Sequence, residues 1–313
     1  ESRSIERLYP MMLRYLDYLK TKEKDGYLPF GLGDWVYWKA TTNNEYTSTA
    51  YYYLDYKLMA RFASLLGKDA TPYQEKANTL KSLINQKFFN AETGVYAEGT
   101  QTAQALALYL GLVPEGKEQL VADKLREVVA GNNYFLDFGL LGSKTVPAML
   151  TKYGYIEDVM KMITKTEAPS WGYWVETMGY STLPETWTLS PKFADASLNL
   201  SLIHISEPTR PSLNHVFRGD VSAWMMNQLA GINHDDSDPG FRHIRITPHF
   251  VKELDWAKGE YHSVRGRIAS EWKREGDKVM LTVTIPADCS ADIVVGDQTE
   301  TVSAGTHTFT YPA

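Results

Sequence analysis

Three short clusters collect the residue types that could hold a ligand and act on it. GLGDWVYW carries Asp34, Trp35, Tyr37 and Trp38; PSWGYWVE carries Trp171, Tyr173, Trp174 and Glu176; LPETW carries Glu185 and Trp187, and SLNH ends on His215. Indole rings offer flat apolar faces that stack on the C–H faces of sugars, and carboxylates accept hydrogen bonds from hydroxyls. Aromatics and acids without basic or phosphate-binding elements point to a neutral carbohydrate. No GxxxxGK[ST], GxGxxG or HExxH string is present, so nucleotide binding and thermolysin-like zinc chemistry have no support. Each residue also has a purely structural reading. A tryptophan such as Trp224 ordinarily fills core; Glu185 after Pro184 reads equally as a solvated loop acid; His215 could cap or fill a helix start. Glu253 and Glu260 read as surface, and Met225-Met226 as packing.

The elements that must position these clusters are helices up to about residue 232. Tyr51, Leu54, Leu58, Phe62 and Leu65 recur every three or four residues, which lines up one apolar face, and Gly67 is placed to cap its end. Leu120, Val121, Leu125, Val128 and Val129 repeat the pattern up to Gly131. Further helices are expected over 4–18, 72–89, 101–112, 144–153, 156–166 and 216–229. Gly, Pro and Asn occupy the connections, and the clusters fall at helix ends or loops, where binding groups concentrate. Antiparallel helix pairs follow, as stacked hairpins of an α/α barrel or as an α-solenoid. Asp238-Pro239-Gly240 marks a boundary between residues 1–238 and 239–313. Beyond it the pattern turns to period two: Val279, Leu281, Val283 and Ile285 alternate with polar residues, and Glu275-Gly276-Asp277 supplies the preceding turn. That is the signature of a small antiparallel sheet domain.

With 313 residues the chain can form two domains, and its net charge of −6 argues against a dedicated nucleic-acid binder. No run reaches the roughly 18 apolar residues of a membrane span. The lone Cys289 allows neither an internal disulfide nor a multi-cysteine metal site. The first residue is Glu1 and no leader-like segment follows it, so the chain reads as a piece of a longer protein. One stretch is foreign to its surroundings. Leu200 to Pro211, LSLIHISEPTRP, resembles the translation of a sequencing adapter, and Ser-Leu-Asn stands both before it, at 197–199, and after it, at 212–214. Removing Leu200–Asn214 restores ADASLNHVFRGDVSAW, so the segment reads as an insertion and His204 within it is no site candidate.

The ordered series GLGDW, STAYYY, QTAQALALYLGLVP, PSWGYW, TLPETW, SLNH, GDVSAW and LAGI, followed by GFRHIRITPHF and RGRIASEWK, resembles the bacterial α-L-rhamnosidases of glycoside hydrolase family 78. The resemblance implies part of an (α/α)6 barrel followed by a small β-sandwich, acting on terminal α-L-rhamnose of glycosides or polysaccharides with inversion and without a cofactor. In such enzymes one carboxylic acid protonates the leaving oxygen and a second carboxylate, roughly 6.5–9.5 Å away, activates water. Carried over residue by residue, Glu185 matches the general base, with Pro184 standing where many members have Trp. Asp34, Trp35 and Trp38 line the sugar subsite, His215 contacts the sugar, and Trp171, Trp174 and Trp187 form its walls.

The family's general acid lies in an upstream stretch resembling C-P-x-R-(D/E)-E-x-x-G-W. The acids before Gly31 are Glu1, Glu6, Asp17, Glu23 and Asp25, and none has that context. The chain as written is therefore expected to be inactive or nearly so. The alternatives are another inverting helical-barrel glycosidase or a non-catalytic carbohydrate-binding protein. A barrel epimerase would need histidines inside the barrel, yet all seven follow residue 200. The resemblance also implies export to the periplasm or beyond, which no residue here encodes.

Overall fold

The computed structural model describes residues 2–187, 212–235, 238 and 240–312. The segment Leu200–Pro211 read as foreign, with His204, lies outside the described residues, as do the first Ser-Leu-Asn copy and Pro239. Contacts divide the chain into two compact units, residues 1–218 and 219–313.

The first unit is helical: α1 (Arg3–Lys20), α2 (Asn44–Leu65), α3 (Thr71–Phe88), α4 (Gln101–Leu110), α5 (Glu118–Gly131), α6 (Leu140–Lys152) and α7 (Ile156–Thr164), with a two-residue β1/β2 hairpin (Phe89–Asn90, Val95–Tyr96) between α3 and α4. From α2 onward the connections are short, so sequential helices run antiparallel. Each of α2, α4 and α6 touches the helix that follows it, and α4 also touches both α2 and α6. Alternate helices therefore form an inner layer, backed by α3, α5 and α7. Side-chain chemistry explains the sorting. The inner helix α4, QTAQALALYL, is buried all round except at Tyr109, as a helix apolar on every face must be. The backing helices keep a polar face; α5 buries only Val121, Ala122, Leu125 and Val129. Gly67 adopts positive φ just past the end of α2, as expected, and Gly111 does so after α4; Asn43 and Thr100 accept from the backbone N–H three residues on.

The second unit begins with α8 (Asp220–Trp224) and a π-helical turn (Met225–Leu229), followed by β3 (Ile232–His234), β4 (His243–Ile246), β5 (Trp256–Ser263), β6 (Gly266–Glu275), β7 (Lys278–Val295) and β8 (Gln298–Pro312). Two-residue Gly-Asp turns join β6 to β7 and β7 to β8, with Gly276 and Gly296 at φ 66° and 57°, the backbone such tight hairpins require. The 18-residue β7 changes partner along its length. Its first half pairs with β6, and beyond an irregularity after Ile285 it pairs with β4, while β8 follows it on both sides of that break. The bend folds one six-stranded sheet around its own core of Ile244, Trp272, Leu281, Val283, Ala291 and Ile293, which makes the expected sandwich. One pairing departs from the antiparallel expectation: β4 and β7 run parallel. Alternation of apolar residues reports which face is buried and carries no information on strand direction.

Candidate functional site

Loops before the N-termini of α2, α4 and α6 meet at one end of the helical unit, and polar cross-links fix them. The Asp137 carboxylate accepts the backbone N–H groups of Lys39 and Ala40 at 2.7 and 2.9 Å. Gln101 donates to Phe135 O and accepts from Asp137 N. The Thr42 and Thr100 hydroxyls share a hydrogen bond of 2.6 Å. Cis Pro169 accepts at its carbonyl from Leu136 N, tying in the segment that carries Trp171.

On this platform Glu185 is half-buried with its carboxylate held at both oxygens. Trp35 Nε1–H donates to Oε1 at 3.1 Å and Ser212 N–H donates to Oε2 at 2.8 Å. The Glu185 backbone N–H donates to Ser212 O, and His215 N–H to Leu183 O, both at 2.8 Å. Residues 183–185 are thus strapped to 212–215. Each carboxylate oxygen has a second lone pair for a water or a ligand hydroxyl. Trp35 is 50% exposed, so its ring presents a stacking face beside that carboxylate. The His215 ring packs against Phe217 at 5.5 Å, and its Nδ1 is buried without a hydrogen-bond partner among the described residues. A buried polar atom left open in this way is what a ligand hydroxyl would satisfy.

The other expected residues sit elsewhere. Asp34 is 3% exposed. Its oxygens accept from Gly139 N at 2.7 Å, Leu141 N at 2.8 Å, Gly142 N at 3.3 Å and the Thr102 hydroxyl. It caps α6 from a distant loop, satisfying amides that begin every helix unpaired. Burial pushes its carboxyl above the usual range, against the opposing pull of these four donors. The structure places it as the residue that ties the loop carrying Trp35 to the start of α6. Trp171, Trp174 and Trp187 are buried, so they lie behind the site and do not line its surface. Trp174 and Trp187 stack at 4.7 Å, and Trp171 meets Trp187 edge-on at 5.3 Å. Their indole N–H groups donate to Arg218 O, Trp187 O and Phe138 O. Trp38 is half-buried and Glu176 exposed.

Sequence reasoning missed Arg218. It is fully buried, with its guanidinium 4.0 Å above the Trp187 ring. Burial pushes it down to about 9, and the charges of Asp34 and Glu185 oppose that shift; it remains a cation at neutral pH. The sole hint in the sequence was its position three residues after His215.

Comparison with known proteins agrees with this architecture. Residues 1–229 match the bacterial alpha-L-rhamnosidase 6-hairpin glycosidase domain, and residues 231–310 the bacterial alpha-L-rhamnosidase C-terminal domain. An α-L-rhamnosidase from Streptomyces avermitilis is 29% identical over 284 residues, covering 90% of this chain and 26% of the relative. One from an Alteromonas species is 27% identical, covering 94% of this chain and 32% of the relative. Among solved structures, the Streptomyces avermitilis α-L-rhamnosidase complexed with L-rhamnose superposes with a TM-score of 0.88 at 25% identity, over 99% of this chain and 31% of that one. The Dictyoglomus enzyme superposes with a TM-score of 0.85 at 28% identity, over 100% and 37%. The chain therefore spans about a quarter to a third of the length of these relatives. On the family match over residues 1–229, this chain belongs to the bacterial α-L-rhamnosidase six-hairpin glycosidases.

Proposed function

We propose that this chain supplies the general-base side of an inverting α-L-rhamnosidase, with Glu185 activating the water that attacks the anomeric carbon. The observation that carries the reading is the double tether of the Glu185 carboxylate, between the Trp35 indole and the Ser212 amide. A base must be fixed in direction to deliver water along one line, and two short donors from separate segments do that. The exposed ring of Trp35 offers a sugar a flat face, and the open Nδ1 of His215 offers a hydroxyl partner. The similarity to a relative solved with L-rhamnose supports the choice of sugar. In this reading the acid that protonates the leaving oxygen belongs to a stretch outside residues 1–313, and the 313-residue chain alone turns over poorly.

The test is Glu185→Gln in the enzyme that includes the acid-bearing stretch, assayed on an aryl α-L-rhamnoside. Turnover should fall on the order of 10²–10⁴-fold while L-rhamnose affinity changes little. Proton NMR at early times should show the β-anomer first. Unchanged turnover, or initial release of the α-anomer, would overturn the assignment. Sugar binding without turnover by the unmodified enzyme would favour a carbohydrate-binding role.

A further inference from the structure

The guanidinium of Arg218 hydrogen-bonds to three separate stretches of chain and, among the described residues, to no carboxylate. Nη2 donates to Val36 O at 2.9 Å and to Glu185 O at 3.0 Å, and Nε donates to the same Glu185 carbonyl at 3.1 Å. Nη1 donates to Gly139 O at 3.0 Å and to the Ser143 hydroxyl at 2.6 Å. These carbonyls belong to the loop of Trp35, the segment of Glu185 and the start of α6. A planar fork of five N–H donors can bridge three such segments, and a lysine ammonium cannot. Val36 sits at φ 57°, a left-handed conformation that costs a β-branched residue about 1–2 kcal/mol and persists only where neighbours impose it. Its carbonyl is one of those Arg218 holds.

We infer that Arg218 is a positioning residue that sets the carboxylate of Glu185 against the indole of Trp35 by clamping Val36, Gly139 and Glu185 through their backbone carbonyls. The charges of Asp34 and Glu185 favour the cation, while its hydrogen bonds go to acceptors that fix loop geometry. Its effect on turnover rests on the reading of Glu185 as base; its effect on Trp35 does not.

The first readout is therefore the Trp35 indole N–H resonance in the 313-residue chain, assigned with Trp35→Phe. In Arg218→Lys and Arg218→Met the resonance should move toward the free-indole position and exchange faster with water, while the Trp174 indole signal stays in place. Ser143→Ala keeps the charge and removes one guanidinium partner, and should give a smaller shift in the same direction even where the Arg218 variants fold poorly. An unmoved Trp35 resonance in any folded member of the series overturns the clamp. The second readout is kinetic, in the acid-complete enzyme. Arg218→Lys should lower kcat on the order of 10²-fold, the cost of misplacing a reacting group by about an ångström, with KM changed far less. A moved Trp35 resonance with unchanged kcat supports the clamp and overturns Glu185 as the base.

Discussion

Asp55 lies on α2 in a recess lined by Tyr15, Leu19, Leu28, Phe30, Tyr51 and Tyr52, and burial alone pushes its carboxyl from 3.8 up to about 6. A carboxyl whose folded value lies above its unfolded one binds its proton more tightly in the native state. Stability is therefore greatest with Asp55 protonated, and it falls as pH rises from about 4 to about 6. The shift of about two units sets a ceiling of about 3 kcal/mol at 1.36 kcal/mol per unit. Partial contact with solvent reduces that to about 1–2 kcal/mol. Asparagine is neutral throughout, so Asp55→Asn should stabilise the helical unit by about 1–2 kcal/mol near pH 8 and by almost nothing near pH 4. Urea unfolding followed by far-ultraviolet circular dichroism, which reports the helices, measures both differences. A gain of equal size at the two pH values would show that charge is not the cause. A loss near pH 8 would mean that the Asp55 carboxylate has a favourable partner, and the argument from burial would fail.

Asp34→Ala removes the acceptor for the amides of Gly139, Leu141 and Gly142 at the start of α6 and for the Thr102 hydroxyl. Thermal unfolding should show a loss of about 2–3 kcal/mol, and a change below about 0.5 kcal/mol would refute the capping role. Gly139→Ala places a Cβ 2.2 Å from Trp35 O and 2.5 Å from Asp34 O, backbone atoms that cannot turn aside; it should cost about 1–3 kcal/mol, with neutral stability as the contrary result. Deleting Leu200–Asn214 joins Ser197-Leu198-Asn199 to His215 and shortens the span between Glu185 and its Ser-Leu-Asn partner, now 27 residues, by about half. Closure entropy then favours the deleted form by about 0.6 kcal/mol, and a loss beyond about 2 kcal/mol would mean that the segment contributes packing of its own.

Much of the fold was legible because burial pattern and element type are linked by period. The alternation of Val279, Leu281, Val283 and Ile285 settles a buried face and folds as read; the stretch Tyr51–Leu65 is helical as read, but it buries Tyr52, Tyr53, Met59, Ala60 and Ala63 and leaves Leu58 and Leu65 of the expected apolar face exposed. Gly67 and Gly276 mark ends that only a positive φ can make. Partner choice was not legible. That β7 leaves β6 for a parallel pairing with β4 depends on contacts between Ala291, Ile244 and Ile293 across the core, and local sequence does not record them.

The site shows a sharper limit, because residue type does not say whose polar atoms are already satisfied. Asp34 and Arg218 illustrate it from opposite signs. An acid beside tryptophans in a glycine loop reads as a ligand contact, but the amides that open α6 claim its oxygens first, since a helix start leaves donors that must be met. An arginine in VFRGD reads as surface, yet the carbonyls of Val36, Glu185 and Gly139, on three separate segments, draw it fully inside. In both cases the demand comes from backbone groups distant in sequence, across 105 residues for Gly139 to Asp34 and 182 for Arg218 to Val36. Glu185 escapes this fate because Arg218 takes its carbonyl and Ser212 pairs with its main chain, leaving the carboxylate with two donors among the described residues. A charged side chain becomes available for chemistry when other residues satisfy the backbone around it, so the residues that make Glu185 useful are those a search for reactive groups passes over.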